Sequence, residues 1–372
     1  MRSVAAIVPY KIYPYNSGGQ KSHAQFYHYF SEKKEVTLIC TSDNSKPEDD
    51  KYKLAPLLGT SVLRYVSPIV FFRVKKFVTD NKIDTVIIEH PYYGWLGFLL
   101  RKSCKVRVII HSHNLEGLRF KTLNRWWWRI LWQYEKWVHS IANFSFFIQS
   151  NDLEYAVKNF KLERTRAAVI TYGITWNTPP SYEKRVAARL AISTTHKLKE
   201  NDTIIFFNGA FDYKPNRDAL ENIVYNINAA LLSFPDFNYK IIICGRNIPE
   251  TLKEHSFLNI IMLGFVDDIE IYYRAADIFI NPVNDGGGIK TKLVEALGNN
   301  ITAVSTINGA IGVDPAICNG KLLVVENENW SGFAGAVVKA SSIKAVIGKG
   351  YYDHFYWENI VGKAINIIEE HA

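Results

Sequence analysis

The sequence predicts an α/β protein with two doubly wound parallel-sheet domains. Three observations predict this fold: short aliphatic runs alternate with segments of helical periodicity, the alternation is interrupted once near residues 175–202, and it then restarts. The length of 372 residues suits two or three domains. A hydrophobic content of 48% with 22% charged residues excludes disordered, collagenous and low-complexity classes.

The first half contains six runs rich in β-branched and aliphatic residues. These predicted strands are Val4–Val8, Val36–Cys40, Thr85–Glu89, Arg107–His111, Phe144–Ser150 and Val169–Tyr172. Amphipathic stretches separate them, notably 20–30 and 125–143, and both are predicted to be helical. Strands that alternate with helices imply parallel pairing through right-handed crossovers, so residues 1–175 are expected to form the first domain.

Residues 176–202 are polar, contain Pro179 and Pro180, and are predicted to be a linker or insert with an exposed helix near 182–190. The pattern restarts in residues 203–350, the predicted second domain. Its predicted helix covers 217–233, and its predicted strands are Thr203–Asn208, Tyr239–Cys244, Asn259–Leu263, Ile278–Val283, Ile301–Ser305 and Leu322–Val325. Residues 351–372 are expected to form a C-terminal segment with a helix at 357–370. Ligands of open α/β sheets bind at the carboxyl ends of the strands, so a cleft between the domains is the expected active site.

The net charge of +8 is unevenly distributed along the chain. Residues 1–172 carry +12 and residues 173–372 carry −4. An anionic partner is therefore expected to meet the N-terminal half.

The segment from Asn281 to Asn299 carries the most informative pattern. A predicted strand ends, three glycines follow, and a helix predicted to begin near Ile289 bears Lys290, Lys292 and Glu295. Backbone amides of consecutive glycines and the start of a helix can hold a diphosphate, and Glu295, one turn beyond Lys292, could accept both hydroxyls of a ribose. The alternative is a flexible turn followed by a solvated helix face. Neither a Walker P-loop nor a GxGxxG pattern occurs, which removes the main support for ATPase and dehydrogenase functions.

GGGIKTKLVEALG, followed by ITAVSTINGAIGV, resembles the donor-binding region of retaining glycosyltransferases of the GT-B fold, family 4. Further segments follow in that family's order: Gly18-Gly19, HSHNLEG at 111–117, FNGAFDYKPNRDAL at 207–220, ICGRN at 243–247, LGFVDDIEIYYRAADIFINP at 263–282 and FYWENIV at 355–361. The resemblance implies two Rossmann-like domains that face each other across a cleft, with a C-terminal helix crossing back to the first. It also implies transfer of a sugar from a nucleoside-diphosphate-sugar donor to an acceptor held by the first domain.

The resemblance implies His113, Lys292 and Glu295 as catalytic residues. The residues it implies for donor binding are Gly18, Gly19, Gly209, Gly245, Phe265, Val266, Gly286, Gly287, Gly288, Ile289, Lys290, Lys292 and Glu295. Two features depart from the family's pattern. Gly287 stands where many members have a glutamate, and the stretch 209–214 lacks the Arg and Lys pair that many members use on the diphosphate, although it contains Lys214 as a possible substitute contact.

His113 follows a predicted strand and matches the family's histidine near the donor sugar and the acceptor hydroxyl, although His111 competes for this role. His90, His111, Asn114 and Glu116 are the residues predicted to bind acceptor. The alternatives are a histidine that only caps a strand, a packed turn at His90-Pro91, and a carboxylate that only stabilises a helix start.

The predicted partners are a nucleotide sugar and a glycan or lipid-linked acceptor of bacterial surface polysaccharide or lipopolysaccharide synthesis, with no metal, no other cofactor and no nucleic acid. Two alternatives are an epimerase or phosphorylase of the same fold and a catalytically inert subunit of a glycan-assembly complex.

Five tryptophans interleave with basic residues in 119–139 (Trp126, Trp127, Trp128, Trp132 and Trp137), where they either dock on an anionic membrane or pack in the core. Because no signal peptide or spanning run is apparent, the expected location is cytoplasmic, with peripheral contact at the inner membrane face.

Overall fold

The chain divides into two compact units in the computed structural model, which describes residues 3–15, 17–253, 257 and 259–370. The first unit runs to Gly173 and resumes at Trp357, and the second unit is Ile174–Tyr356. Each unit is built on one parallel sheet. Among the described helices, none is long and apolar enough to cross a membrane.

The first unit has a seven-stranded sheet in the order β3-β2-β1-β4-β5-β6-β7. Its strands are β1 Ser3–Ile7, β2 Val36–Thr41, β3 Lys53–Leu58, β4 Ile83–Glu89, β5 Arg107–Ser112, β6 Phe144–Phe147 and β7 Ala167–Val169. Its helices are α1 Gly18–Lys33, α2 Pro68–Asp80, α3 Gly94–Cys104, α4 Glu116–Thr122, α5 Trp128–Ile141, α6 Ser150–Tyr155 and, after the second unit, α15 Trp357–Glu370. The central strands are nearly continuous aliphatic runs because helices cover both faces of a parallel sheet.

Helices α2, α3 and α5 share one core cluster on one face of this sheet. Val74 of α2, Leu96 of α3 and Val138 of α5 are fully buried there against strand residues such as Val108. Helix α1 contacts α15, so the C-terminal helix belongs to the first unit.

The second unit has a six-stranded sheet in the order β10-β9-β8-β11-β12-β13. Its strands are β8 Thr203–Asn208, β9 Tyr239–Cys244, β10 Ile260–Gly264, β11 Ile278–Asn281, β12 Thr302–Thr306 and β13 Leu322–Val325. Its helices are α7 Tyr182–His196, α8 Lys214–Asn222, α9 Asn228–Leu231, α10 Glu250–Lys253, α11 Glu270–Ala275, α12 Thr291–Gly298, α13 Trp330–Ser341 and α14 Lys349–Phe355. A π-helical stretch, Ile223–Ile227, joins α8 to α9.

The predicted fold class is confirmed, and the elements differ from prediction at their ends. The strand predicted over Phe144–Ser150 ends at Phe147, and helix α6 begins at Ser150. The strand predicted over Val169–Tyr172 lies earlier, at Ala167–Val169. Strand β3 was not predicted because its Pro56 disfavours a strand, but β3 is an edge strand, where a missing N–H is tolerated.

Part of the segment predicted as a linker is structured. Helix α7 contacts α11 inside the second unit, and Ala188 and Ile192 are its buried residues. At the other end of the unit, α14 ends at Phe355, so the C-terminal segment predicted over 351–372 contains the end of one helix and the whole of another.

Candidate functional site

The strand order of each sheet reverses at one place, between β1 and β4 in the first unit and between β8 and β11 in the second. Loops that follow such neighbouring strands diverge, and open α/β sheets bind ligands there. Several predicted site residues lie in these loops: His90 follows β4, Gly209 follows β8, and the three glycines follow β11.

The glycine loop between β11 and α12 is held by its own lysine. Gly286 and Gly288 have φ angles of +88° and +75°, which favour glycine. The Lys290 ammonium donates to the carbonyl oxygens of Gly286 and Gly288 at 2.8 and 2.9 Å. Helix α12 starts at Thr291 rather than near Ile289, with Lys290 as the residue before it. The loop is therefore a closed turn whose two carbonyls share one cation.

Lys292 lies on the first turn of α12, and its ammonium points back to the sheet. It donates to the backbone oxygen of Asn208 at 3.0 Å and to Oδ1 of Asn216 at 2.7 Å, and it lies 4.4 Å from the ring centroid of Phe207. Burial, and then the neighbouring charge of Lys290, lower the pKa of Lys292 to about 7. An ammonium that is partly desolvated before any anion binds is prepared to interact strongly with one.

Glu295 is one turn further along α12 and is buried, with 9% of its surface exposed. Its Oε2 lies 3.5 Å from the hydroxyl of Tyr273, which also donates to Oδ1 of Asn208 at 3.0 Å. Asn208 therefore interacts with Lys292 through its backbone and with Tyr273 through its side chain. The structure brings Lys292 and Glu295 together at the carboxyl end of β8.

The other predicted donor residues of the second unit lie in the loops that follow β8, β9, β10 and β11. A Cβ on Gly245 would lie 1.8 Å from the carbonyl oxygen of Gly209, so the loops after β8 and β9 touch through their backbones. Phe265 is 67% exposed and Val266 is partly exposed, directly after β10. Ile289 packs against Gly312. Their roles in donor binding stay predictions.

In the first unit, the predicted histidines converge on a carboxylate that the sequence analysis missed. Glu89, at the end of β4, is 1% exposed. Its Oε2 accepts from Nε2 of His113 at 2.7 Å, and its Oε1 accepts from Nδ1 of His111 at 3.1 Å and from the hydroxyl of Tyr27. Nε2 of His23 lies 3.2 Å from Oε2 of Glu89. Burial alone would raise the pKa of Glu89, but the facing imidazoles hold it well below its usual range.

A second carboxylate and imidazole pair adjoins this cluster. Glu116 is fully buried, accepts from the Tyr92 hydroxyl at 2.6 Å and from Arg119 at 2.9 Å, and lies 3.3 Å from Nδ1 of His90. Burial would raise the pKa of Glu116, but His90 and Arg119 lower it to about 2. The φ angle of His90 is +62°, an uncommon conformation that often marks functional sites. His90 and Glu116 therefore form a buried pair. Asn114 lies partly exposed in the loop before α4.

Gly18 and Gly19 form the start of α1, after Ser17, whose side chain caps the helix. The carbonyl oxygen of Gly19 accepts from Nδ1 of His23 at 2.7 Å, so the helix start is tied to the histidine cluster. His23 was not among the predicted site residues, although His23 and Tyr27 are four residues apart and therefore share a helix face. The predicted contact of Gly18 and Gly19 with a donor stays a prediction.

Two groups of side chains in this unit have metal-ligating atoms within 4.8 Å of one another. One group is His23, His90 and His113, and the other is Glu89, His111 and His113. The rings of His23 and His113 stack with centroids 4.0 Å apart and planes inclined by 16°. Nearly parallel rings do not direct their nitrogen lone pairs at one point, which disfavours metal binding by the first of these groups.

The tryptophan-rich segment divides between core and surface. Trp132 packs against Phe160 and donates to the hydroxyl of Tyr155 at 3.1 Å, whereas Trp126 is 84% exposed. Trp127 packs on Phe120, and Trp128 and Trp137 are both partly exposed. A second exposed apolar group was not predicted; it lies on the turn before α2 and on α2 itself and consists of Val62, Leu63, Val66, Ile69 and Phe72.

Two family models match the chain. The model described as Glycosyltransferase Family 4 matches residues 17–175, and the model described as Glycosyl transferases group 1 matches residues 202–342. Together they cover most of the chain and both units. The chain belongs to the GT-B glycosyltransferases of family 4. It is therefore an enzyme that transfers a sugar.

Solved structures share the fold of this glycosyltransferase over its whole length. Sucrose-phosphate synthase from Thermosynechococcus elongatus is 15% identical with a TM-score of 0.74, covering 100% of this chain and 99% of that chain. HepE from Anabaena, in complex with UDP and glucose, is 12% identical with a TM-score of 0.69 and full coverage of both chains. WaaG, described as a glycosyltransferase involved in lipopolysaccharide biosynthesis, is 14% identical with a TM-score of 0.65, covering 98% and 99%. No protein of curated function matches the sequence.

Proposed function

We propose that this glycosyltransferase is a retaining enzyme that takes a sugar from a nucleoside-diphosphate donor bound by the second unit. The acceptor is a glycan or lipid-linked glycan bound by the first unit, in bacterial surface polysaccharide or lipopolysaccharide synthesis. The observation that carries the proposal is the desolvated ammonium of Lys292, which lies beside the glycine loop and one helical turn from the buried carboxylate of Glu295.

Each of these groups matches one part of a nucleoside diphosphate. The cation of Lys292 and the backbone amides of Gly287 and Gly288 suit the diphosphate oxygens, because both supply positive charge without a bound metal. The carboxylate of Glu295 accepts hydrogen bonds only, so it suits the two hydroxyls of a ribose. HepE, which has the same fold, is described in complex with UDP, which supports a nucleotide sugar as donor.

The proposed reaction is front-face transfer. The acceptor oxygen forms its bond to the anomeric carbon on the side from which the diphosphate leaves, and a diphosphate oxygen takes the proton of the acceptor hydroxyl. Lys292 and the loop amides stabilise the negative charge that develops on the leaving group. His113 contacts the donor sugar or the acceptor. No group on this route requires a metal.

The basic charge of the N-terminal half supports an anionic acceptor or an anionic surface, because it lies away from the donor residues along the sequence. The names of two proteins with the same fold point in one direction: WaaB is described as a lipopolysaccharide outer core galactosyltransferase, and WaaG is described as acting in lipopolysaccharide biosynthesis. This similarity supports the acceptor class as a proposal.

Peripheral membrane contact belongs to the same proposal. Helices α2 and α5 both contact α3, and each carries exposed apolar side chains, with Phe72 at 66% and Ile130 at 66% exposure and Trp126 at 84% just before α5. Basic residues accompany both groups: Arg64, Arg73, Lys75, Lys76, Lys121, Arg125, Arg129 and Lys136. Apolar side chains among cations suit the interface of an anionic bilayer.

Substitutions of Lys292 and Glu295 are expected to affect the binding of a nucleotide and of pyrophosphate differently. Calorimetric titration with UDP, GDP and ADP identifies the preferred nucleotide, and inorganic pyrophosphate serves as a probe without ribose. Lys292→Ala is expected to weaken both the nucleotide and pyrophosphate about 100-fold or more, because it removes a desolvated cation. Glu295→Gln is expected to weaken the nucleotide at least tenfold and to leave pyrophosphate binding unchanged, because only the ribose contact is lost.

Lys339→Ala is the matched control, since Lys339 is an exposed lysine on α13 of the same unit. It should bind both probes as the wild type does. Unchanged nucleotide binding by Lys292→Ala would refute the donor site, and absence of binding by the wild-type protein to all three nucleotides would support an inert subunit instead.

The stereochemistry of transfer tests the retaining mechanism. Proton NMR of the reaction should show that the first product has the anomeric configuration of the donor, because attack and departure occur on the same face. A product of opposite configuration would contradict the proposal. Conversion of the nucleotide sugar to a different nucleotide sugar without any acceptor would indicate an epimerase.

Membrane contact is tested by co-sedimentation with vesicles that contain phosphatidylglycerol. The wild-type protein should bind these vesicles several-fold better than pure phosphatidylcholine vesicles, with binding that falls as salt is raised. The double variant Trp126→Ser/Ile130→Ser should lose most of the binding. Leu190→Ser, at an exposed position of the second unit, should not. Equal binding by both variants and the wild type would show that these side chains do not dock.

A further inference from the structure

The buried carboxylate of Glu89 is placed by strand pairing rather than by chance contact. Strands β4 and β5 are parallel neighbours, and Glu89 pairs with His111 in their register. Paired residues of neighbouring strands face the same side of a sheet, so the side chains of Glu89 and His111 lie together, and His113, which directly follows β5, contacts the other carboxylate oxygen of Glu89. Helix α1 adds Tyr27, whose hydroxyl donates to the same carboxylate. The sheet therefore fixes Glu89 and His113 relative to each other.

The hydrogen bonds determine which nitrogen of His113 carries the proton. Tyr27, His111 and His113 each form a hydrogen bond with Glu89, which favours its ionised form, and a carboxylate only accepts hydrogen bonds. The hydrogen between Nε2 of His113 and Oε2 of Glu89 must therefore belong to the imidazole. Burial, followed by the neighbouring imidazoles of His23 and His111, lowers the pKa of His113 well below its usual range. A neutral ring protonated on Nε2 has a lone pair on Nδ1.

His113 is also the histidine of this cluster best placed to meet a ligand. Its side chain is 10% exposed, compared with 1% for His23, 2% for His111 and 7% for His90. No described residue forms a hydrogen bond with its Nδ1 atom. Nδ1 of His23, by comparison, is occupied by the carbonyl oxygen of Gly19.

We propose that Glu89 is a positioning residue that holds His113 in the Nε2-protonated tautomer, so that Nδ1 accepts a hydrogen bond from a sugar hydroxyl of the substrate. This inference rests on the proposed function, because it assigns the substrate group that His113 contacts. Glu89 itself does not touch the substrate.

The tautomer selects the chemistry of the bound group. A bare Nδ1 atom needs a donor, and a sugar hydroxyl supplies one, whereas a diphosphate at neutral pH offers oxygens that only accept. His113 therefore contacts a hydroxyl and leaves the phosphates to the cations and amides of the enzyme. In the opposite tautomer Nδ1 would donate, and it could then bind a phosphate oxygen as well as a hydroxyl, so the selectivity for a hydroxyl would be lost.

The test combines NMR with kinetics on the full chain. The protein is labelled with ¹⁵N-histidine, and long-range ¹H–¹⁵N correlations at pH 7.5 identify the bare nitrogen of His113, with His113→Ala used for assignment. The wild type should show a bare Nδ1 without any substrate present. Glu89→Gln should lose this tautomer preference, because the amide can donate to Nε2, and its kcat/KM for transfer should fall at least tenfold.

A double-mutant cycle separates positioning from simple structural support. If Glu89 acts through His113, the double variant Glu89→Gln/His113→Ala should be no slower than His113→Ala alone. Asp50→Asn is the matched control, since Asp50 is a buried carboxylate 2.5 Å from Nδ1 of His28 in the same unit. It should leave the His113 tautomer and the transfer rate unchanged.

A wild-type spectrum with hydrogen on Nδ1, or with both nitrogens protonated, would overturn the proposal even if the Glu89 variant failed to fold. The proposal would also be overturned if the losses of kcat/KM caused by Glu89→Gln and by His113→Ala simply added in the double variant. Because the tautomer is read without substrate, failure of the donor-binding experiments would leave this result standing and would refute only the proposed function.

Discussion

Parallel pairing of the strands is the constraint on which the rest of this structure depends. Each unit's described strands run in one direction, so their carboxyl ends meet at one edge of the sheet. Where the strand order reverses, the loops diverge and leave room for polar groups. Glu89 and His113 lie at this edge in the first unit, and Lys292 and Glu295 lie near it in the second. The proposed chemistry of the enzyme depends on that geometry.

Both units keep a charge out of water at this edge, and each does so by a different means. Glu89 is ionised because donors from β5 and α1 satisfy its oxygens. Among the described residues, the ammonium of Lys292 has two hydrogen-bond acceptors, the backbone oxygen of Asn208 and Oδ1 of Asn216, besides the ring of Phe207, and burial lowers its pKa to about 7. A satisfied charge fixes a structure, whereas an incompletely satisfied charge is available for a ligand. We therefore propose a positioning role for Glu89 and a ligand-binding role for Lys292.

The sequence was sufficient to predict the fold class, because runs of aliphatic residues and helical periodicity remain recognisable even where a single residue interrupts the pattern. Segments that depend on long-range context were harder: Pro56 concealed an edge strand, and the strand before Ser150 was extended too far. The glycine loop and Lys292 were found because their neighbours in sequence are also their neighbours in space. Glu89 was missed for the opposite reason. Its partners come from residues 23–27 of α1 and from residues 111–113, and they meet only through the register of β4 and β5 and the contact of α1 with the end of β4.

The central claim is that the ammonium of Lys292 binds the donor diphosphate, and proton uptake on binding tests it most directly. In the ligand-free protein the pKa of Lys292 is about 7, so at pH 8 the side chain is mostly neutral. A bound diphosphate favours the charged form and raises this pKa.

Titration calorimetry of UDP, or of the nucleotide that binds best, in two buffers of different ionisation heat should therefore show uptake of about one proton at pH 8. At pH 6, where the free lysine already carries its proton, Lys292 should take up none. Lys292→Arg, whose side chain is charged at both pH values, should show no such uptake at pH 8. Tight binding by the wild type without proton uptake at pH 8 would contradict the account.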